Sequence, residues 1–436
     1  MKKRLLSILL GGALLAGSTL GVTACSGKSN KITLWGPSAQ QESLKEMVAQ
    51  FLEENPDFGL EIELGVAGEG DAYSMMSNDA QSGADVFAYA NDQVVKLISL
   101  GALARLNDAT VTELKSSNVL ASVEAGKVGD YFYGYPYAAD NGFFMFYDSS
   151  VVSEDDAKTL EGVLAACKAK KKYFLYQLTT GWYAGSFIYG AGGEYTAIYD
   201  GLVVSEVICN FDEKAPDSNY TYGELGGQQL IDLRTANDYV VDGDDTQISN
   251  YLNAKGGSKL GACITGTWNA KLIQSKLQTT DEDGNLVDHY AATTLPTWKS
   301  SLDGKTYNWK SFAGYKLYGV NAYSKHIDKA HQLAAFLSSE KMQEKRFDDN
   351  QIGPSNTKVA ALPKVTENLA ISTINKQIAT NSVIQRPTPD AYWTEMESFA
   401  NAMKTWGTPS EKEDEEEPVV TTLADRVKKL VSALKG

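Results

Sequence analysis

Apolar and polar positions along this chain switch repeatedly between a two-residue and a helical repeat. Lys31 to Trp35 ("KITLW") reads as a strand, and Leu44, Met47, Val48, Phe51 and Leu52 then recur at helical spacing until Asn55-Pro56 ends the helix. Leu60 to Val66 is strand-like, Tyr73 to Gln81 helical, Asp85-Val-Phe-Ala-Tyr a short buried strand and Val94 to Leu100 a helix. The stretch Tyr131 to Tyr147 is dense in Tyr and Phe on both strand faces, which predicts central sheet strands. Leu160, Val163, Leu164 and Cys167 make a helical stripe, Tyr173 to Leu178 a strand and Trp182 to Tyr189 a buried helix. "YTAIYDGLVV", with Asp200-Gly201 between β-rich arms, predicts a hairpin. Strands are expected at Leu260 to Thr265 and Tyr315 to Asn321. A helix is expected from Thr267, with others at Ile327 to Leu337, Lys341 to Phe347, Leu369 to Ala379 and Tyr392 to Lys404. Leu423, Val427, Leu430, Val431 and Leu434 mark a last amphipathic helix docked on the body. Strands alternating with helices at this spacing predict α/β architecture, with two largely parallel sheets, each covered by helices.

The first residues change the picture of where this body resides. Lys2, Lys3 and Arg4 precede a short apolar core, Leu5 to Leu15, and small residues lead to Val22-Thr23-Ala24-Cys25. That layout is an export signal, too short to read as a membrane span. The Cys after Val-Thr-Ala resembles a bacterial lipobox, so residues 1–24 are expected to be a lipoprotein signal peptide. Cys25 is then the lipidated residue and 25–30 a tether. Acyl chains at Cys25 would hold the protein to a membrane surface without a spanning helix. The length implies two or three domains or two lobes. A formal charge of -15 argues against nucleic acid and anionic lipid, which need clustered Lys and Arg.

Templates for chemistry come up empty. His289, His326 and His331 form no ligand pair, and Cys167, Cys209 and Cys263 have no metal-site spacing and read as buried structural thiols. "DEDGN", Asp281 to Asn285, has a flavour of a calcium loop but ends on Ala292 where the last ligand should be Glu, and is read as a polar hairpin turn. "DGDD", Asp242 to Asp245, reads as a loop and helix cap, and "SEKEDEEEP", Ser410 to Pro418, as an acidic solvated connector. No metal, cofactor or catalytic group is assigned. What remains is aromatic and acidic residues where strands end and helices begin. Trp35 and Tyr89 end strands, Asp92 opens a helix, Asp140 lies between two strands, and Trp182, Trp268 and Trp393 start helices. Those are the positions at which α/β sheets present side chains to a cleft. Sugar suits such a set, because an aromatic ring covers the apolar face of a pyranose while carboxylates accept from its hydroxyls.

At this point the chain resembles the extracellular solute-binding lipoproteins of ABC sugar importers, and within them the maltose/maltodextrin-binding proteins. The resemblance runs in order through "KITLW", "FLEENP", "GADVFAYANDQV", "YGYPYAADNGFFMFYDSSVV" and "WYAGSFIYGAGGEY". It continues through "ITGTWN", "TTLPTW", "SFAGYKLYGVNAYSKHIDKAHQLAAFL", "IGPSN" and "PTPDAYW". It implies a two-lobed, periplasmic-binding-protein-like fold with a hinge of crossing segments, lobe one being 31–138 plus 312–350 and lobe two 139–311 plus 351–436. It further implies hydroxyl acceptors at Asp92 and Asp140, stacking rings at Trp182, Trp268 and Trp393, a first-lobe wall at Trp35 and a contact at Asp71. The chain departs from the family pattern at Asp140, where Glu is usual, at Gln93, where a base is usual, at Gly36-Pro37-Ser38, where charges are usual, and at Trp182, commonly Tyr.

The implied function is a membrane-anchored, monomeric, non-enzymatic binding protein. It would capture maltose/maltodextrin-type α-glucan oligosaccharides and pass them to ABC transporter permease subunits. The rivals are a binding protein for a different oligosaccharide, a surface glycan-degrading enzyme with two acids facing across the cleft, and an adhesion lipoprotein without a small ligand.

Overall fold

In the computed structural model, residues 30–407 and 422–436 are described; the signal segment, Cys25 and the acidic connector lie outside them. Two sheets are built from β1 (Lys31–Gly36), β2 (Glu61–Val66), β3 (Val86–Ala90), β4 (Tyr135–Asn141), β5 (Phe144–Asp148), β6 (Tyr173–Tyr176), β7 (Val240–Asp242), β8 (Leu260–Thr265), β9 (Tyr290–Thr293), β10 (Ser311–Val320) and β11 (Ser382–Ile384). The first sheet runs β11-β10-β3-β1-β2, with β4 also paired to β10; the second runs β7-β6-β8-β5-β9. Strands β1, β2 and β3 are parallel, as are β6, β7 and β8. The expectation of largely parallel sheets is modified by β10 and β5. The first runs antiparallel to β3 and β4, the second to β8 and β9. Both belong to chain that passes between lobes, so they join their sheets from the hinge and not through a βαβ crossover.

Each sheet has its own core, which makes two lobes. The helix Gln41–Glu54 turns Leu44, Met47, Val48 and Phe51 onto the first sheet, where they pack with Ile32, Leu34 and Val86. Burying each such side chain contributes about 1.5–3 kcal/mol. Its end is set by Asn55, whose amide donates to the Phe51 carbonyl at 2.8 Å, with Pro56 next in the chain. The second lobe packs Met145, Phe174, Phe187, Trp298 and Trp309 around β5, β6 and β8. The final helix, Leu423–Lys435, buries Val427, Leu430, Val431 and Leu434 in that same core and is capped by Thr422.

Most predicted elements form, including the hairpin with Gly201 at φ 62° and the polar turn at Asp281, whose carboxylate accepts from the Asp283 and Asn285 amides. The buried helix expected over Trp182 to Tyr189 is two short ones, Gly181–Ala184 and Ser186–Ala191, interrupted at Gly185. Asp140 lies within β4, not between strands. The thiols of Cys167, Cys209 and Cys263 are free and buried, and burial pushes Cys167 up to about 12 and Cys209 up to about 11.

The cores meet at a hinge. Tyr135 and Tyr137 of β4 sit in the first core while Phe143, just beyond it, sits in the second. In β10 the direction is reversed, with Phe312 in the second core and Tyr318 in the first. A third passage runs from Ile352 in the first core to Ile374 in the second, and β11 returns the chain to β10.

Candidate functional site

Between the lobes lies a cleft of about 980 Å³ lined from both sides, at the upper end of the range for small-molecule sites. Its second-lobe wall is aromatic. Trp182 and Trp393 stand with ring centroids 6.1 Å apart, and Trp182 is backed by Phe312 of the hinge strand at 4.7 Å in a stacked arrangement. The wall is assembled at a helix start: Thr180 caps the Gly181–Ala184 helix, and Gly181 allows the Trp393 backbone close, since a Cβ there would lie 2.6 Å from the Trp393 carbonyl oxygen. A third ring, Trp268, follows β8. Its indole N–H donates to Asp245 at 3.0 Å, and Asn269 donates to the other Asp245 oxygen at 2.7 Å, so the ring is held by its polar edge.

The first-lobe wall is polar. Asp92, 5% exposed, accepts from Gln385 through Oδ1 at 2.8 Å, while Oδ2 has no partner among the described residues. Gln385 accepts in turn from Asn141, and its carbonyl takes the Asn91 amide, both at 2.8 Å, while its N–H donates to the Ala313 carbonyl, which ties the acid to β4 and β10. Burial pushes the Asp92 carboxyl up to about 7, with Lys96 opposing the rise and Asp390 adding to it. Gln93 shapes the adjoining loop: its amide donates to the Glu69 and Gly70 carbonyls, and its oxygen accepts from the Tyr73 N–H. Asp71 and Tyr73 of that loop line the cleft.

Five of the residues singled out from sequence, Asp71, Asp92, Trp182, Trp268 and Trp393, are therefore brought together. Three are not among the residues lining the cleft. Trp35 lies half-buried over Gly65 against the first core, and Tyr89 is fully buried with its hydroxyl donating to the Tyr133 carbonyl. Asp140, 1% exposed, has its Oδ2 accepting from the Thr267 hydroxyl and, at 2.6 Å, from the Gly353 N–H. It joins β4 to the second lobe and to the third passage, and its Oδ1 is buried without a partner among the described residues. In each case the strand turns the side chain into the lobe or the hinge, which the end-of-strand position alone does not reveal.

Among the described residues, no cluster of His, Cys, Asp and Glu could hold a metal ion, and no helix is long and apolar enough to cross a membrane. A family model for bacterial extracellular solute-binding proteins matches residues 46–373. The chain belongs to that family. A galactooligosaccharide-binding protein of Bacillus subtilis (strain 168) is 24% identical over 424 residues, covering 90% of this chain and 91% of the relative. Among solved structures, one determined with acarbose is 26% identical with a TM-score of 0.73, covering 93% of this chain and 98% of that one. The Thermus thermophilus maltotriose-binding protein bound with maltotriose, 17% identical, superposes with a TM-score of 0.72 over 93% of this chain and 99% of its own. The fold of this solute-binding protein is thus the two-lobed one these structures share.

Sequence reasoning missed several residues of the site. Lys96, Lys316, Glu69 and Gln385 all line the cleft. Lys316 had a readable signal, a charge inside an otherwise apolar strand. Gln385 had none, because its role arises only from pairing of β11 with β10.

Proposed function

We propose that this solute-binding protein captures a maltodextrin-type α-glucan oligosaccharide between its lobes and delivers it, unaltered, to the permease subunits of an ABC importer. In this reading it works outside the cytoplasm as a monomer held to the membrane through lipid on Cys25. The observation that carries the proposal is the pairing of an aromatic wall, Trp182 and Trp393, with a buried acceptor, Asp92, across one cleft. Rings can cover the apolar faces of successive pyranose units, and a carboxylate oxygen held by Gln385 accepts from a hydroxyl. The solved structures with maltotriose and with acarbose support the ligand class.

A second reading, a galactooligosaccharide, is favoured by the name of the Bacillus subtilis relative. Calorimetric titration of the soluble body, starting after Cys25, separates the two. Maltotriose and longer maltodextrins are compared with β-galactotriose, cellotriose, xylotriose and glucose. Micromolar or tighter binding to the α-glucans alone, with the sugar recovered intact, is the expected result. Binding to galactotriose alone replaces the ligand, and cleavage of the sugar replaces the class.

A further inference from the structure

One charged side chain in the cleft has no structural duty that satisfies it. Lys316 projects from β10, is 4% exposed and lines the cleft. Its ammonium has three donors but makes no hydrogen bond among the described residues. Its charged neighbour is Glu69, at 3.9 Å, beyond hydrogen-bonding distance, and the Trp268 ring centroid lies 5.2 Å away. The Nζ itself is not sealed off from the cleft, so its donors are open to a ligand there. Glu69 is similarly half-used. Its Oε1 accepts from the Tyr137 hydroxyl at 2.6 Å and from Gln40 at 3.5 Å, while Oε2 accepts from no described residue.

We infer that Lys316 and Glu69 form a subsite for a vicinal pair of hydroxyls on one neutral sugar ring. Lys316 donates to one hydroxyl oxygen, Glu69 accepts from its neighbour, and Trp268 covers the face of the ring. The inference rests on the oligosaccharide reading and narrows it. Because the pair carries both signs, an amino sugar here is drawn to Glu69 but opposed by Lys316, and a uronate is drawn to Lys316 but opposed by Glu69. A neutral ring is opposed by neither. Tyr137 and Gln40 orient Glu69, which leaves little side-chain freedom to lose on binding.

The test compares wild type with Lys316→Met and Glu69→Gln, each titrated with the panel above, together with the melting temperature of each ligand-free protein. At least a tenfold loss of affinity in both variants is expected. Lys316→Met should melt near the wild-type temperature, since the ammonium faces the cleft and makes no hydrogen bond to the described residues. If Lys316 merely supports the fold, ligand-free Lys316→Met melts lower and its affinity stays within twofold of wild type, which overturns the subsite. Should that variant fail to fold, Glu69→Gln, nearly isosteric, decides alone by the same tenfold and twofold limits. Wild type that binds while both variants bind equally well leaves the oligosaccharide reading intact and removes the subsite. Wild type that binds no member of the panel removes both.

Discussion

Asp92 keeps one oxygen on Gln385 and presents the other to the cleft, and burial holds its carboxyl near neutrality. A hydroxyl donating to it favours the ionised form, so binding should draw the proton off. Affinity is then expected to rise with pH between 6 and 8, by up to about tenfold, as the binding-competent fraction grows from a minority to nearly all. Calorimetry in buffers of different ionisation enthalpy should detect the released proton near pH 7. The ligand-free protein should show the opposite trend. Its folded state retains a proton that the unfolded chain loses in the ordinary carboxylate range, so this residue's contribution to stability falls as pH rises toward 7. Asp92→Asn should flatten both curves. For Asp140 the expectation differs in kind, because its bonds go to Thr267 and Gly353 and not into the cleft. Asp140→Ala strands two buried donors and is expected to cost about 3 kcal/mol of stability in chemical denaturation. Sugar affinity of the folded fraction should change little, and a variant of normal stability that no longer binds would return Asp140 to the role the family pattern implies.

One strand accounts for much of the cleft. Alternate residues of β10 do different work: Phe312 backs Trp182, Gly314 faces Gln385, Lys316 enters the cleft and Tyr318 packs at a tilt on Tyr137 in the first core. Gly314 is required by contact, since a Cβ there would lie 2.0 Å from Gln385 Oε1. Gly314→Ala should displace Gln385, lower stability by about 1–3 kcal/mol through overpacking and loosen the acceptor it holds. Trp182→Ala should act on the ligand instead, with a loss of about 2 kcal/mol or roughly thirtyfold in titration. The elements themselves were legible because their periodicity is local, and Trp182, Trp268 and Trp393 were legible because all three share one position type, a helix start at a sheet end where a cleft opens. The fate of Asp140, Tyr89 and Gln385 was not. Each depends on a partner brought by another strand or passage, from Tyr133 only 44 positions away to Asp92 293 positions away. The apolar run through β10 also reads as core on both faces, which hides that one end of the strand serves one lobe and the other end its neighbour.

At the scale of the molecule, the lobes touch at the lips of the cleft. Lys271 of the second lobe donates to the Asp349 carbonyl at 2.6 Å, and Lys96 pairs with Asp390. Rim contacts of this kind, with Lys96 partly buried and Asp390 exposed, contribute about 1 kcal/mol each, too little to fix the lobes without ligand. Hinge closure about a ligand is the general behaviour of binding proteins of this architecture. It can be driven only by a ligand that interacts better with the closed arrangement than with the open one. On the proposed reading, that condition is met by grip from both sides, Asp92 on the first lobe and Trp182 with Trp393 on the second. Small-angle scattering should therefore show a fall in radius of gyration when maltotriose saturates the wild type. The melting temperature should rise as well, by an amount equivalent to about 2.7 kcal/mol at a hundredfold excess over Kd. Asp92→Ala separates binding from closure. It leaves the aromatic wall and, on the first lobe, Lys316 with Glu69 to hold sugar more weakly, so titration should still give heat while the fall in radius of gyration at saturation is smaller than in wild type. A variant that closes as fully as wild type would show that the first lobe grips the sugar through other groups, and Lys316 with Glu69 would then be the side chains placed to do it.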